Sequence, residues 1–184
     1  MEYVDLSKVQ EASSGGRIPA GGYICRLISV EDVPDKKYLK IEFDIAEGEH
    51  AGHYLRLFQN FKFWGGRYVR SYKDAALPFF KRFITSIEAS NRGFKFDGRN
   101  EAALKGKLVG LIIGHEEYKS QSGEIKTREY VDMERSADTI RDGEFDIPEF
   151  KKLNGGDRAA KLPPGDPPPG YYADAALDDE DLPF

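Results

Sequence analysis

The sequence has few of the residues on which small enzymes and disulfide-bonded proteins depend. A single cysteine, Cys25, excludes a disulfide within the chain, and its apolar surroundings predict a small core residue rather than a nucleophile. The three histidines lack partners at the spacing of a zinc site. No phosphate-binding loop, dinucleotide glycine pattern or nucleophile elbow occurs. We therefore expect neither catalysis nor a cofactor.

Long apolar runs are missing as well. No segment approaches the length that crosses a bilayer, and residues 1–10 lack the apolar core of a signal peptide. These absences favour a cytoplasmic protein with no membrane partner.

Charge is distributed unevenly along the chain. The net charge of −5 arises in residues 154–184, which hold seven acids and two bases. The part before residue 154 is neutral overall, yet residues 56–107 carry twelve bases and only four acids. A basic segment of this kind permits nucleic-acid binding in spite of an acidic pI.

Proline and glycine divide the chain into four parts. Residues 1–18 are predicted to be a flexible lead-in, and residues 19–153 a single domain. Residues 154–177 form a predicted Pro/Gly-rich linker, followed by an acidic tip at 178–184.

The periodicity of the domain predicts a mainly β fold with one amphipathic helix. Strands are expected at 22–30, 38–45, 53–60, 107–118 and 124–135, with a helix at 74–90 and a short helical turn within 137–153. Three strands, a helix and two further strands are the order of the OB-fold, a five-stranded barrel with a helix between strands three and four. In that fold the face of strands two and three, with the flanking loops, binds oligonucleotides. The alternative is a generic α+β sheet protein.

The stretch from residue 54 to residue 73 combines aromatic rings with cations, and no acid lies between Arg56 and Lys73. Cations that follow the phosphates and rings that stack on unpaired bases are the two requirements for binding single-stranded nucleic acid. The predicted stacking residues are Trp64, Phe61, Tyr54 and Tyr68. The predicted phosphate-binding residues are Arg56, Lys62, Arg67, Arg70 and Lys73. A second wall is expected on the hairpin of the last two strands, from Tyr118, Lys126 and Arg128.

Several of these residues have a second interpretation. The aromatic side chains, Phe58 and one of Phe61 and Phe63 in particular, are also suited to filling a core. Gly65 and Gly66 beside Trp64 suggest a mobile loop that closes on a bound strand. A weaker hypothesis is the metal site of a nuclease, formed by Glu116, Glu117, Asp132 and Glu134.

The tip differs from an ordinary acidic tail in its last three residues. Four acids, Asp178, Asp179, Glu180 and Asp181, are followed by Leu182, Pro183 and Phe184. An aromatic ring exposed to water forgoes about 2–3 kcal/mol of burial energy, and the preceding proline limits the conformations available to it. This pattern predicts a peptide that docks onto a partner with an apolar pocket and a basic rim.

Two resemblances agree with this interpretation. The tip resembles the acidic C-terminal tip of bacterial single-stranded DNA-binding proteins, in which acids precede an aliphatic residue, proline and phenylalanine. The segments 19–23, 38–45 and 77–81 resemble a phage-encoded family of OB-fold single-stranded DNA-binding proteins from replication and recombination gene clusters. The resemblance implies a non-catalytic protein that coats single-stranded DNA in the host cytoplasm. It also implies that residues 178–184 recruit replication or recombination proteins.

Two alternatives and the oligomeric state stay open. An OB-fold that binds proteins, as an interaction module or recombination mediator, is the main alternative, and a metal-dependent nuclease is the lesser one. A homo-oligomer is compatible with the sequence, but the tetramer of the bacterial proteins is not carried over because their OB domain does not match.

Deletion of the tip is expected to tighten DNA binding. The 24-residue linker spans about 25–30 Å as a flexible chain, whereas a domain of this size has a radius of gyration near 15 Å. The tip therefore reaches the basic stretch and competes with DNA, most strongly at low salt where screening is weak. A fluorescence titration with oligo-dT at two salt concentrations measures the effect. Equal affinities of the two chains at low salt would leave the tip with partner docking alone.

Overall fold

A computed structural model describes residues 16–120 and 123–153. The strands are β1 (Gly21–Val33), β2 (Tyr38–Ile45), β3 (Arg67–Ser71), β4 (Leu108–Lys119) and β5 (Ile125–Arg135). The α-helices of these residues are α1 (His53–Phe61), α2 (Leu77–Ser90) and α3 (Ala137–Arg141). All five strands are antiparallel to their neighbours and form one sheet in the order β3-β2-β1-β4-β5.

The predicted mainly β fold, with a helix between the third and fourth strands, is confirmed. The helix is α2, which follows a 3₁₀ turn at Asp74–Ala76. The strand order is that of an OB-fold divided between its third and fifth strands. No hydrogen-bonded ladder between β3 and β5 is present in the described part of the chain, so β3 and β5 are the two edges of the sheet.

The third strand lies further along the chain than predicted. Residues 53–60, predicted as a strand from the alternation of Leu55 and Leu57, form α1 instead. Tyr54, Leu57 and Phe61 recur at helical spacing, so the same residues also form one face of a helix. The true third strand is β3, within the basic stretch, where Arg70 lies opposite Leu39 of β2.

The core lies on the concave side of the sheet and is closed by α2. The prediction for β2 is confirmed, because its alternate residues Leu39, Ile41, Phe43 and Ile45 are all buried. Phe83 and Ile87 of α2 are fully buried in the same cluster. The predicted start of the domain at residue 19 is too late, because Ile18 is part of this cluster and is only 1 % exposed.

A buried ion pair joins the two edges of the sheet. Glu134 of β5 is fully buried, and its carboxylate lies 2.5 Å from the guanidinium of Arg70 on β3. Arg82 of α2 approaches the same carboxylate to 3.5 Å. The side chains of three elements thus meet on one carboxylate where backbone pairing is absent.

The described residues do not reach every predicted segment. The predicted linker, the acidic tip and most of the lead-in lie outside them. Within 16–120 and 123–153, no helix has the length and apolar character needed to cross a bilayer.

Substitution of Glu134 by alanine is expected to lower the free energy of unfolding by about 3–5 kcal/mol, because it leaves two arginines near the core without their counter-charge. Urea denaturation measures the loss. Glu47→Ala is a control, since Glu47 pairs with Arg141 at 2.7 Å on an exposed surface, where an ion pair contributes little. Equal losses in the two variants would contradict the role of Glu134 in joining β3 to β5.

Candidate nucleic-acid interface

The start of α1 is fixed by a residue of β2. Gly52 precedes the helix in a left-handed conformation (φ 72°) and has no side chain to cap it. Asp44 supplies the cap, since its Oδ1 accepts a hydrogen bond from the Tyr54 N–H (2.9 Å) and its Oδ2 accepts one from the Leu55 N–H (3.3 Å). A carboxylate is favourable at this end of a helix, because the first N–H groups have no partner within the helix.

The inner face of α1 is tied to the core by Tyr54. The ring is 1 % exposed and lies edge-on to Phe43 at 5.3 Å, while the hydroxyl donates to Glu129 Oε2 of β5 at 2.7 Å. Burial and the adjacent Glu129 carboxylate raise the pKa of Tyr54 well above its usual value. The prediction that Tyr54 stacks on bases is therefore wrong, since its ring packs in the core.

The loop after α1 is packed against β2 and is not a hinge. The carbonyl of Gly66 accepts a hydrogen bond from the Phe43 N–H at 2.8 Å. A Cβ at position 66 would lie 2.2 Å from the Phe43 carbonyl oxygen, so only glycine fits there. The predicted mobility of the two glycines is replaced by a steric requirement for close approach.

The outer face of α1 carries large apolar side chains. Leu55, Phe58 and Phe61 are 45 %, 44 % and 43 % exposed. Trp64, which is half-buried, lies edge-on to Phe58 with the ring centroids 6.1 Å apart, and its Nε1–H donates to the Gly66 carbonyl. We call these four residues, with Lys62, the α1 patch.

Two cations accompany this patch. The ammonium of Lys62 stands over the Phe58 ring, 5.9 Å from its centroid. Arg56 is exposed, and its guanidinium donates to the Ala51 carbonyl at 2.6 Å. The structure therefore brings together Phe61, Lys62 and Trp64 of the predicted residues, with Arg56 on the same helix.

Two other predicted residues are buried by β3. Tyr68 is 4 % exposed within the core, where burial and the Glu134 charge raise the pKa of its hydroxyl. Arg70 is 5 % exposed and pairs with Glu134. Both predictions, of stacking for Tyr68 and of phosphate binding for Arg70, are wrong because strand alternation directs these side chains inward.

The outward residues of the same stretch are accessible in part. Arg67 is opposite Glu42 of β2, and its Nε and Nη2 both lie 2.9 Å from one carboxylate oxygen of Glu42. Lys73, which follows β3, is exposed. Arg67 therefore presents a neutralised pair, whereas Lys73 presents a charged side chain.

The predicted second wall lies on a different surface. Arg128 pairs with Glu116 at 2.9 Å and stacks over the Tyr118 ring at 5.1 Å, and Lys126 is directly opposite Tyr118. Glu129, the next residue after Arg128, faces α1. Since neighbouring residues of a strand point to opposite faces, the hairpin separates Tyr118, Lys126 and Arg128 from the α1 patch.

The carboxylates of the nuclease hypothesis do not meet. Glu116 pairs with Arg128, Glu117 accepts from the Leu153 N–H at 2.8 Å, and Asp132 lies 3.3 Å from the Lys151 ammonium. Glu134 is buried and is opposite Leu111, five residues along β4 from Glu116. No group of three potential metal ligands is found among the described residues. The hypothesis of a metal site formed by these four residues is therefore wrong.

Phe58 is the residue of the α1 patch that sequence reasoning left undecided between core and surface. The spacing of Leu55, Phe58 and Phe61 by three residues each was the available signal, because it places all three along one side of a helix. The prediction of a strand over these residues concealed it.

Comparison with known proteins adds no assignment. No protein-family model matches the chain, and no curated protein matches it. The predicted docking residues 178–184 lie outside the described residues, so their role stays a prediction.

Substitution of Asp44 by alanine is expected to loosen α1 and to lower the free energy of unfolding by about 1–2 kcal/mol, because the helix loses its cap. The chain has one tryptophan, Trp64, which contacts α1, so its fluorescence emission should shift to longer wavelength. Asp97→Ala removes an exposed carboxylate that binds the N–H groups of Arg99 and Asn100, and should leave the emission unchanged. An unchanged emission in Asp44→Ala would contradict the capping role.

Proposed function

We propose that this protein binds single-stranded DNA without sequence preference, with the α1 patch as the platform for the bases. The observation that carries this proposal is a short helix with exposed Phe58 and Phe61, beside Trp64 and Lys62. Exposed rings on a cationic surface suit unpaired bases, because every base has a flat apolar face that an aromatic side chain can cover. Duplex DNA keeps those faces stacked inside.

The charge around the patch favours a polyanion. The sequence from His50 to Lys73 contains no acid, and Arg56 and Lys62 are exposed. The buried Asp44 is the acid nearest to the start of α1, and its carboxylate is bound to two N–H groups of the helix. A phosphate chain across α1 therefore meets cations and helix backbone, with little repulsion.

The biological setting of the proposal follows the resemblance to phage proteins. The chain would coat single strands during phage replication or recombination in the host cytoplasm, without catalysing a reaction. Its tip, residues 178–184, would recruit replication or recombination enzymes. The resemblance of the tip to that of bacterial single-stranded DNA-binding proteins supports this part of the proposal.

A protein-binding module is the second candidate. The observation that favours it is the further exposed apolar pair Ile147 and Phe150, in the segment after α3. Large exposed apolar side chains also suit protein partners. A chain that bound no single strand, but retained a partner through Phe150, would support this candidate.

Phe58→Ala is expected to weaken binding of oligo-dT by about 1–3 kcal/mol, the usual contribution of one stacked base. Phe150→Ala is the matched control, because Phe150 is 45 % exposed and Phe58 is 44 % exposed. Fluorescence anisotropy measures both affinities, and thermal unfolding checks that both variants fold. Equal affinities of the two variants would contradict the placement of the site on α1.

The salt dependence of binding tests the electrostatic part. The logarithm of the affinity should fall with the logarithm of salt concentration by about 0.7 for each phosphate contacted. Duplex DNA of the same length should bind more weakly at every salt concentration. An affinity for oligo-dT that does not respond to salt, or a preference for duplex, would contradict the proposal.

A further inference from the structure

Two lysines have a backbone conformation that glycine usually occupies. Lys37 (φ 56°) lies in the turn between β1 and β2, and Lys62 (φ 58°) directly follows α1. They are the non-glycine residues with positive φ among residues 16–120 and 123–153. The left-handed region is unfavourable for side chains because Cβ approaches the carbonyl oxygen. A non-glycine residue held there suggests that its side chain has a function.

For Lys62 the fold itself offers reasons. Its ammonium stands over the Phe58 ring, and its position after α1 places a cation at the negative end of the helix dipole. A lysine at this position therefore contributes to stability as well as to the charge of the α1 patch.

Lys37 has no such reason, because the fold uses only its main chain. Its carbonyl accepts from the Tyr72 N–H at 3.0 Å and from Ser71 Oγ at 3.2 Å, and its N–H donates to the Pro34 carbonyl at 3.2 Å. Its side chain is exposed and forms no ion pair with any residue that the structure describes. Glycine at this position would keep all three hydrogen bonds and would remove the strain.

The position of Lys37 relates it to the α1 patch. The turn begins β2, and Asp44, which caps α1, lies near the other end of β2, about 20 Å away at 3.4 Å per residue. Lys40 is exposed between them on the same strand and shares the outer face with the Arg67–Glu42 pair. Glu31 lies opposite Lys40 on β1, and it is exposed.

We propose that Lys37 is a phosphate-binding residue and that a bound strand runs from the α1 patch along the outer face of β2 to this turn. The proposal rests on the function proposed above and adds the path of the strand. It explains why lysine occupies a position where glycine would give a more relaxed backbone, since the ammonium contributes to DNA binding at the expense of stability.

The test compares Lys37→Gly, Lys37→Arg and wild type in oligo-dT titrations and in thermal unfolding. Lys37→Gly should bind roughly three- to tenfold more weakly at low salt, with a salt slope less steep by about 0.7, as for one lost phosphate contact. Its Tm should equal or exceed that of wild type, because the strain at position 37 is relieved. Lys37→Arg should keep the affinity and gain no stability.

A matched control and Phe58→Ala separate the possible results. Lys152→Gly removes an exposed lysine outside the β2 face and should keep wild-type affinity. If Phe58→Ala loses affinity but Lys37→Gly does not, the path is overturned and the DNA-binding function stands. If wild type fails to bind oligo-dT, both proposals fall. Equal losses in Lys37→Gly and Lys152→Gly, or a loss that arginine does not restore, would also overturn the role of Lys37.

Discussion

The sheet depends on one buried carboxylate at the place where its backbone pairing ends. β3 and β5 are the edges of the sheet, and Glu134 of β5 holds Arg70 of β3 and approaches Arg82 of α2. Removing a carboxylate from water is unfavourable by several kcal/mol, so such a charge persists only where opposite charges surround it. Because the same residue binds both strands and the helix, it sets the position of β3 relative to the rest of the core.

The position of β3 in turn determines where α1 lies. The chain leaves β2 at Ile45, forms α1, and enters β3 through Gly66, whose carbonyl is bound to Phe43 of β2. Asp44 fixes the start of the helix, and Tyr54 joins its inner face to Glu129. With three sides held in this way, Leu55, Phe58 and Phe61 have no core to enter and stay at the surface. The α1 patch is thus a consequence of how the connection between β2 and β3 is anchored.

The candidate site was predicted in outline and corrected in detail. The sequence located the aromatic and basic stretch, and Phe61, Lys62 and Trp64 lie together in the α1 patch. It did not distinguish rings that fill the core from rings at the surface, because Tyr54 and Phe58 have the same aromatic character and lie four residues apart. It also placed Arg70 among the phosphate-binding residues, since a buried cation is recognisable only once its partner Glu134 is known to be opposite. The hairpin residues Tyr118, Lys126 and Arg128 were expected on a facing wall, but strand alternation turns them away from α1.

The sequence by itself determined the number and order of the strands after β3, the alternation of β2 and the helix before β4. These features depend on local periodicity, which is visible in any window of eight to fifteen residues. Only the tertiary structure decided that residues 53–61 form a helix rather than a strand. The apolar spacing of this segment fits both, and the deciding contacts come from Asp44, ten residues earlier, and Glu129, 75 residues later. A choice that rests on hydrogen bonds to distant residues cannot be made from the segment alone.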